Sequence, residues 1–351
     1  MSKIYELAIT PEYVSSWDFK DAVREILQNA IDNGSEMTVR HANNVLYISN
    51  AEGSLTIDSL LLGTTSKQND ESKIGSFGEG YKLAMLVLTR LGHTVTVEHG
   101  DVSWEPFFKE SEVFGVHTLH IQETLGFQGL KGITFCIHDV TEEMYDSIAE
   151  HCLQLQASNS EANSGAIETV MGRILPNAKG QLFVNGLFVC KIGMSHGYDI
   201  LPKFITLERD RKTVDVSHLQ RSIYSMWLHS EQYTKMAEML SLGERDMYYA
   251  DLFNSEEVTN ACFELFTSQN PGKTAVSDES SNNEVSNGVI VNCVYQSLLS
   301  RHKDFSSLGI ATTKESPTEF IEKWISENGY LVKPTAILAF HELLNQSKNW
   351  K

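Results

Sequence analysis

The chain has 351 residues, 41% hydrophobic and 21% charged, a globular composition that excludes wholesale disorder and leaves room for two domains. Acidic side chains outnumber basic ones 46 to 28, and the resulting formal charge of −18 repels polyanions, which disfavours non-specific binding to nucleic acid or anionic membrane. Five scattered cysteines (Cys136, Cys152, Cys190, Cys262, Cys293) with no CxxC spacing indicate neither a zinc site nor a disulfide framework, and fit a reducing cytosol.

The first residues, MSKIYELAITPEY, lack the apolar core of a signal peptide, and the run LAMLVL is too short to span a bilayer. The expectation is a soluble cytoplasmic protein with no membrane partner. DFKDAVREILQNAIDNG, residues 18–34, reads as an amphipathic helix with Phe19, Val23, Ile26, Leu27, Ala30 and Ile31 at helical spacing and Asn33-Gly34 as the stop. EMTVRH and NVLYISN read as short strands. Residues 63–80 form a polar connection into a helix, YKLAMLVLTRLG.

Four alternating runs follow, TVTVEHG, VSWEPFFKE, VHTLHIQET and KGITFCIHDV, and predict an antiparallel sheet whose runs are joined by short polar turns. Helix and strand first, then a meander, is an α+β sandwich pattern and not a βαβ repeat. From about Thr141 the texture changes to a helix (EEMYDSIAEHCLQLQ), a polar loop (ASNSEANSGA), a β-hairpin around Asn185-Gly186 and a charged cluster, LERDRKTVD. The remainder reads as mostly helical, with a polar loop or linker at 268–288. The predicted divisions are 1–140, 141–218 and 219–351.

KIGSFGEGYKLAM places Gly75, Gly78 and Gly80 ahead of a helix, where backbone amides bind phosphate readily. A P-loop is excluded: Tyr81 stands where the lysine belongs, Lys82 is one position late, and Leu83 has no hydroxyl for magnesium. A dinucleotide GxGxxG fails as well, again at Leu83. Upstream, Glu25, Asn29 and Asp32 at i, i+4, i+7 share one helix face opposite the apolar stripe. That face is either solvated or the wall of a site.

ExxxNAxD from Glu25 to Asp32, GTTSK with IGSFGEGYK, and Gly132-Ile133-Thr134 together resemble the GHKL ATPase superfamily of gyrase B subunits, ninety-kilodalton chaperones, histidine kinases and MutL. The wording is nearest to MutL, MORC and phage rIIA-type proteins. The resemblance implies a Bergerat-type two-layer α/β sandwich over 1–140, with a mixed, largely antiparallel sheet and helices on one face. It further implies a transducer-like α/β region over 141–218, and a mostly helical C-terminal region. ATP and Mg2+ are the implied ligands.

By that resemblance Glu25 orients or deprotonates the attacking water, and its identity favours hydrolysis over phosphoryl transfer to histidine. Asn29 holds Mg2+ through its amide oxygen, a hard donor, and Asp32 completes the box. Gly75, Gly78 and Gly80, with the amides of Glu79 and Tyr81, cradle phosphates. Lys82 is either a phosphate contact or a solvated helix residue, and Lys67 either a lid lysine or a loop charge. Thr134 offers a hydroxyl near the nucleotide. Asn50, in NAEGSL, stands where the family has the aspartate that reads adenine; its NH2 needs a partner of its own, which relaxes or redirects base selectivity. Arg209, Arg211 and Lys212 are candidates for the cation that senses the γ-phosphate, Arg211 first.

The implied output is an ATP-dependent switch: slow hydrolysis of ATP to ADP and phosphate, nucleotide-dependent homodimerisation, and a protein partner bound by the C-terminal helices. The alternative is a nucleotide-sensing interaction protein with little or no hydrolysis. The rIIA-like flavour implies a phage or phage-related origin, a host-cytoplasm setting and a part in virus–host conflict. MutL-like and MORC-like relatives engage DNA, which the acidic balance here disfavours.

Overall fold

The computed structural model describes residues 2–32, 36–61, 80–207, 214–277 and 288–305. Two units divide the chain, Met1–Met239 with Glu244–Phe253, and Leu240–Gly243 with Asn254–Lys351. Both are of mixed α+β composition.

The first unit begins with β1 (Lys3–Leu7), α1 (Phe19–Asp32), β2 (Met37–Ala42) and β3 (Val45–Asn50). Asn43 and Asn44, at φ +54° and +60°, make the left-handed two-residue turn that a β2–β3 hairpin requires. After α2 (Gly80–Arg90) come two long strands, β4 (Val95–Glu110) and β5 (His117–Ile137). The four predicted runs therefore merge into two strands. Gly100, at φ +55°, sits at register shifts that bend β4 without ending it, so only the turn at 111–116 reverses the chain.

β5 is the spine of this antiparallel five-stranded sheet. One edge carries β4 along its length; the other carries β3 at residues 133–137 and β1 at 119–123, with β2 outside β3. α1 and α2 pack on one face. Val23, Ile26, Leu27, Ala84, Leu86 and Val87 interleave there with Ile48, Val97 and Phe135. Each fully buried aliphatic side chain contributes roughly 1.5–3 kcal/mol relative to exposure. Arg90, at the end of α2, fixes the approach to α1 by donating to four main-chain carbonyls, those of Pro11 (2.8 Å), Tyr13 (3.0 Å), Val14 (3.3 Å) and Trp17 (3.0 Å).

The same unit continues through α3 (Glu142–Ala149), shorter than its pattern predicts. The chain turns extended at Cys152, which bridges Leu187, and Leu153 N–H donates to Gly186 O at 2.8 Å, so tertiary pairing replaces further helix. β6 (Ile167–Thr169), β7 (Gly172–Leu175), β8 (Gln181–Val184), β9 (Leu187–Lys191) and β10 (Gly197–Ile200) form a second sheet in the order β6-β7-β10-β8-β9. Its β8–β9 hairpin turns at Asn185-Gly186 as predicted, with φ of +51° and +82°. α4 (Val216–His229) starts on Asp215, whose carboxylate accepts from His218 N, and α5 (Tyr233–Ser241) follows.

The second unit contains α6 (Glu256–Gln269), β11 (Thr274–Ser277), β12 (Gly288–Val291) and α7 (Cys293–Leu299). The loop expected at 268–288 is corrected in part: Thr274–Ser277 is a mostly buried strand, paired parallel with β12. Tyr295 Oη donates to Cys262 O at 3.0 Å, joining α7 to α6. Among the described residues no helix is long and apolar enough to cross a membrane.

Candidate functional site

α1 is more deeply buried than an amphipathic surface helix. Glu25 is 2% exposed and Asp32 4%, and Gln28 is buried between them, so the solvated-face alternative does not hold. α2 packs against α1, and its first residue, Gly80, meets this face.

Gly80 opens α2 against this face. A Cβ built on it would lie 2.4 Å from Glu25 Oε2 and 3.1 Å from Asn29 Nδ2, so any side chain at this position has to displace the Glu25 carboxylate. Asn29 Nδ2 donates to Glu25 O at 2.8 Å. A carbonyl accepts only a donor, which fixes the amide so that Oδ1 points away from that bond. The structure thus brings Glu25, Asn29 and Gly80 together, with Asp32 at the C-terminal end of the same helix.

The side chains of Tyr81 and Lys82 both reach the turn that precedes α2. Tyr81 Oη donates to Ser59 O at 2.5 Å and lies 2.9 Å from Ser59 Oγ; burial pushes its phenol up to about 12, against the lowering effect of Ser59. Lys82 is fully buried and its ammonium donates to Leu61 O, which corrects the solvated-residue alternative. Together they fasten the start of α2 to the 3-10 turn Ile57–Leu60.

Asn50, at the end of β3, is buried on the helix-facing side, and its NH2 donates to Ala30 O at 2.8 Å. That is the partner its amide requires, and it sets the amide orientation. Gly132 permits this packing: at φ +79° its Cβ would collide with Asn50 O. Thr134 is not part of the group. It pairs with Ser49, on the opposite sheet face from Ile48, Asn50 and Phe135, and its hydroxyl donates to Ser49 Oγ at 3.0 Å. Lys67, Gly75, Gly78, Glu79, Arg209, Arg211 and Lys212 lie outside the described residues.

Two contributors escaped the sequence reading. Arg24, beside Glu25, reaches both that carboxylate and the second sheet, and Ser59 receives Tyr81. Lys20 and Arg24 at i, i+4 signal a cationic edge on α1, but nothing in the spacing names their acceptors.

Among the described residues one cluster has metal-ligand types in reach, His196, Glu244 and Asp246, with ligand atoms within 4.8 Å of one another. Asp246 already accepts from Ser195 N (2.7 Å), His196 N (3.2 Å), His196 Nδ1 (3.0 Å) and the Tyr198 hydroxyl, which in turn accepts from Trp227 Nε1 at 2.9 Å. Burial pushes the Asp246 carboxyl up, but the His196, Tyr198 and Ser195 donors outweigh it and hold it below the usual range. Three donors on Oδ1 saturate that oxygen, and the cluster is a buried hydrogen-bonded knot.

No protein-family model matches the chain. It is similar to an uncharacterized protein of Mycoplasma pneumoniae, 25% identical over 236 residues that cover 61% of this chain and 92% of that protein.

Proposed function

We propose that this protein is a GHKL-type ATP-binding switch whose first layer is a Bergerat-type sandwich. The observation that supports this best is Gly80 seated directly on Glu25 and Asn29. Two elements far apart in sequence, each resembling one box of the superfamily, converge at the N-terminus of α2, where helix amides favour anionic ligands.

In this reading α2 and the Gly80 backbone receive the nucleotide phosphates. Asn29 suits a hard cation: its Nδ2 is spent on Glu25 O, which leaves the amide oxygen as the ligand atom. When bound, Mg2+ supplies charge neutralisation to the triphosphate. Glu25 orients the attacking water and accepts its proton, and the ADP and phosphate formed leave the switch in its other state. Tyr81 and Lys82 hold the turn at 57–60 in place, and Asn50 stands at the base-reading position with its NH2 held by Ala30 O. The expected assembly is a nucleotide-dependent homodimer with a protein partner on the second unit.

A second reading, a nucleotide sensor with little hydrolysis, draws on the burial of Glu25, which limits the access of water to its carboxylate. Turnover and oligomeric state, measured with and without a non-hydrolysable ATP analogue for wild type and Glu25→Ala, decide between them. The switch predicts hydrolysis lost and analogue-induced dimerisation kept in the variant. Nucleotide-driven dimerisation with no wild-type turnover selects the sensor, and no nucleotide effect on either measurement refutes both.

A further inference from the structure

Arg24 precedes Glu25 on α1, and its side chain is 17% exposed beside a Glu25 side chain that is 3% exposed. Its Nη1 lies 3.7 Å from Glu25 Oε1, an ion pair too long for a hydrogen bond. Its Nε donates to the Phe188 carbonyl at 3.2 Å. We infer that Arg24 is a positioning residue that couples the β8–β9 hairpin to the Glu25 carboxylate. This rests on the reading of Glu25 as the hydrolytic residue.

The link follows from strand geometry. β9 is the edge strand of the second sheet, and its outer side meets the segment at 151–153 through an isolated bridge from Leu187 to Cys152. Phe188 N–H donates to His151 O at 2.9 Å, and the carbonyl of the same residue points to the same side, where Arg24 meets it. A guanidinium carries five donors in a rigid fork, so it can serve a carbonyl and a carboxylate at once. A cleft of about 250 Å³, lined by Lys20, Arg24, Leu27, Ile148, Leu187 and Phe188, lies beside it.

In the present arrangement the guanidinium meets both the Phe188 carbonyl and the Glu25 carboxylate. Withdrawing the Phe188 carbonyl releases that bond and favours closure of Nη1 on Glu25, replacing a loose pair by a charge-assisted hydrogen bond of about 2.7–2.9 Å. That shift of about 1 Å draws the carboxylate away from Gly80 and from the position it needs for a water. The hairpin position therefore sets where the Glu25 carboxylate sits, and Arg24 is the part that reports it.

The test is steady-state ATP hydrolysis by the full chain for wild type, Arg24→Met, Arg24→Lys, Glu25→Gln and the Arg24→Met/Glu25→Gln double variant, with unfolding midpoints recorded for each. Arg24→Met is expected to lower kcat by roughly 10–100-fold at unchanged KM, and Arg24→Lys, which keeps charge but not the fork, to fall between. In the Glu25→Gln background Arg24→Met is expected to add nothing, since both act through one carboxylate. Full additivity, or a KM rising in step with the loss, would overturn the coupling. If Glu25→Gln stops turnover and Arg24→Met leaves it at wild-type level, the coupling alone falls. If Glu25→Gln leaves turnover intact, the hydrolytic reading falls and takes the coupling with it.

Discussion

Substituting Gly80 by alanine adds one methyl group at the point where α2 touches α1. The backbone there is helical, so alanine costs no conformational strain, and helix propensity alone would favour it by up to about 1 kcal/mol. The added carbon would stand 2.4 Å from Glu25 Oε2 and 3.1 Å from Asn29 Nδ2. Restoring ordinary van der Waals separation moves the carboxylate by about 1 Å. Buried as it is, Glu25 can yield only by leaving its present position. A misplacement of that size costs roughly 100-fold in rate, about 2.7 kcal/mol of transition-state stabilisation. Overpacking costs about 1–3 kcal/mol and offsets the propensity gain, leaving stability within about 2 kcal/mol of wild type. Phosphate release under saturating Mg-ATP, with an unfolding curve on the same preparation, separates the two effects. A folded Gly80→Ala protein with wild-type turnover would refute both the contact and the role given to Glu25.

Asn50→Asp restores the acid the superfamily carries, yet here it faces a carboxylate oxygen towards Ala30 O and removes the donor. Urea unfolding is expected to show a loss of about 1–3 kcal/mol, and an unchanged midpoint would show that the bond contributes nothing. Asp246→Asn is expected to cost about 3 kcal/mol, because it removes the charge on which four donors converge. The wild-type Asp246 carboxyl is held below its unfolded value, so its contribution is complete above the unfolded pKa and is lost as pH falls through the folded one. Unfolding midpoints on descending from about pH 5 to about pH 2 should therefore drop more steeply for wild type than for Asp246→Asn; equal slopes would count against the knot.

Local signals survived into the structure because their causes are local. The periodicity of residues 18–34 became α1, and Asn185-Gly186 became a hairpin, since left-handed turn residues and helical spacing act within a few positions. The merging of four runs into β4 and β5 was not, because a bulge at Gly100 and a true turn carry similar residues and only distant pairing separates them. Thr134 pairs with Ser49 and so faces away from Asn50, a parity that cannot be read from one strand alone. Burial of Lys82 was unreadable because its acceptor is a backbone carbonyl, which every residue possesses. Arg24 was hidden in the same way by Phe188 O.

The fastening of Tyr81 and Lys82 onto the turn at 57–61 has an evolutionary consequence. Both acceptors, Ser59 O and Leu61 O, belong to the main chain, so substitution at the receiving positions leaves them in place. Heredity is burdened on one side only. Drift at 61 leaves this contact in place and drift at 59 removes only its Oγ partner, whereas position 82 must keep a long donor and position 81 a hydroxyl. A saturation-mutagenesis map of this neighbourhood should be lopsided, intolerant on α2 and permissive on the turn it grips.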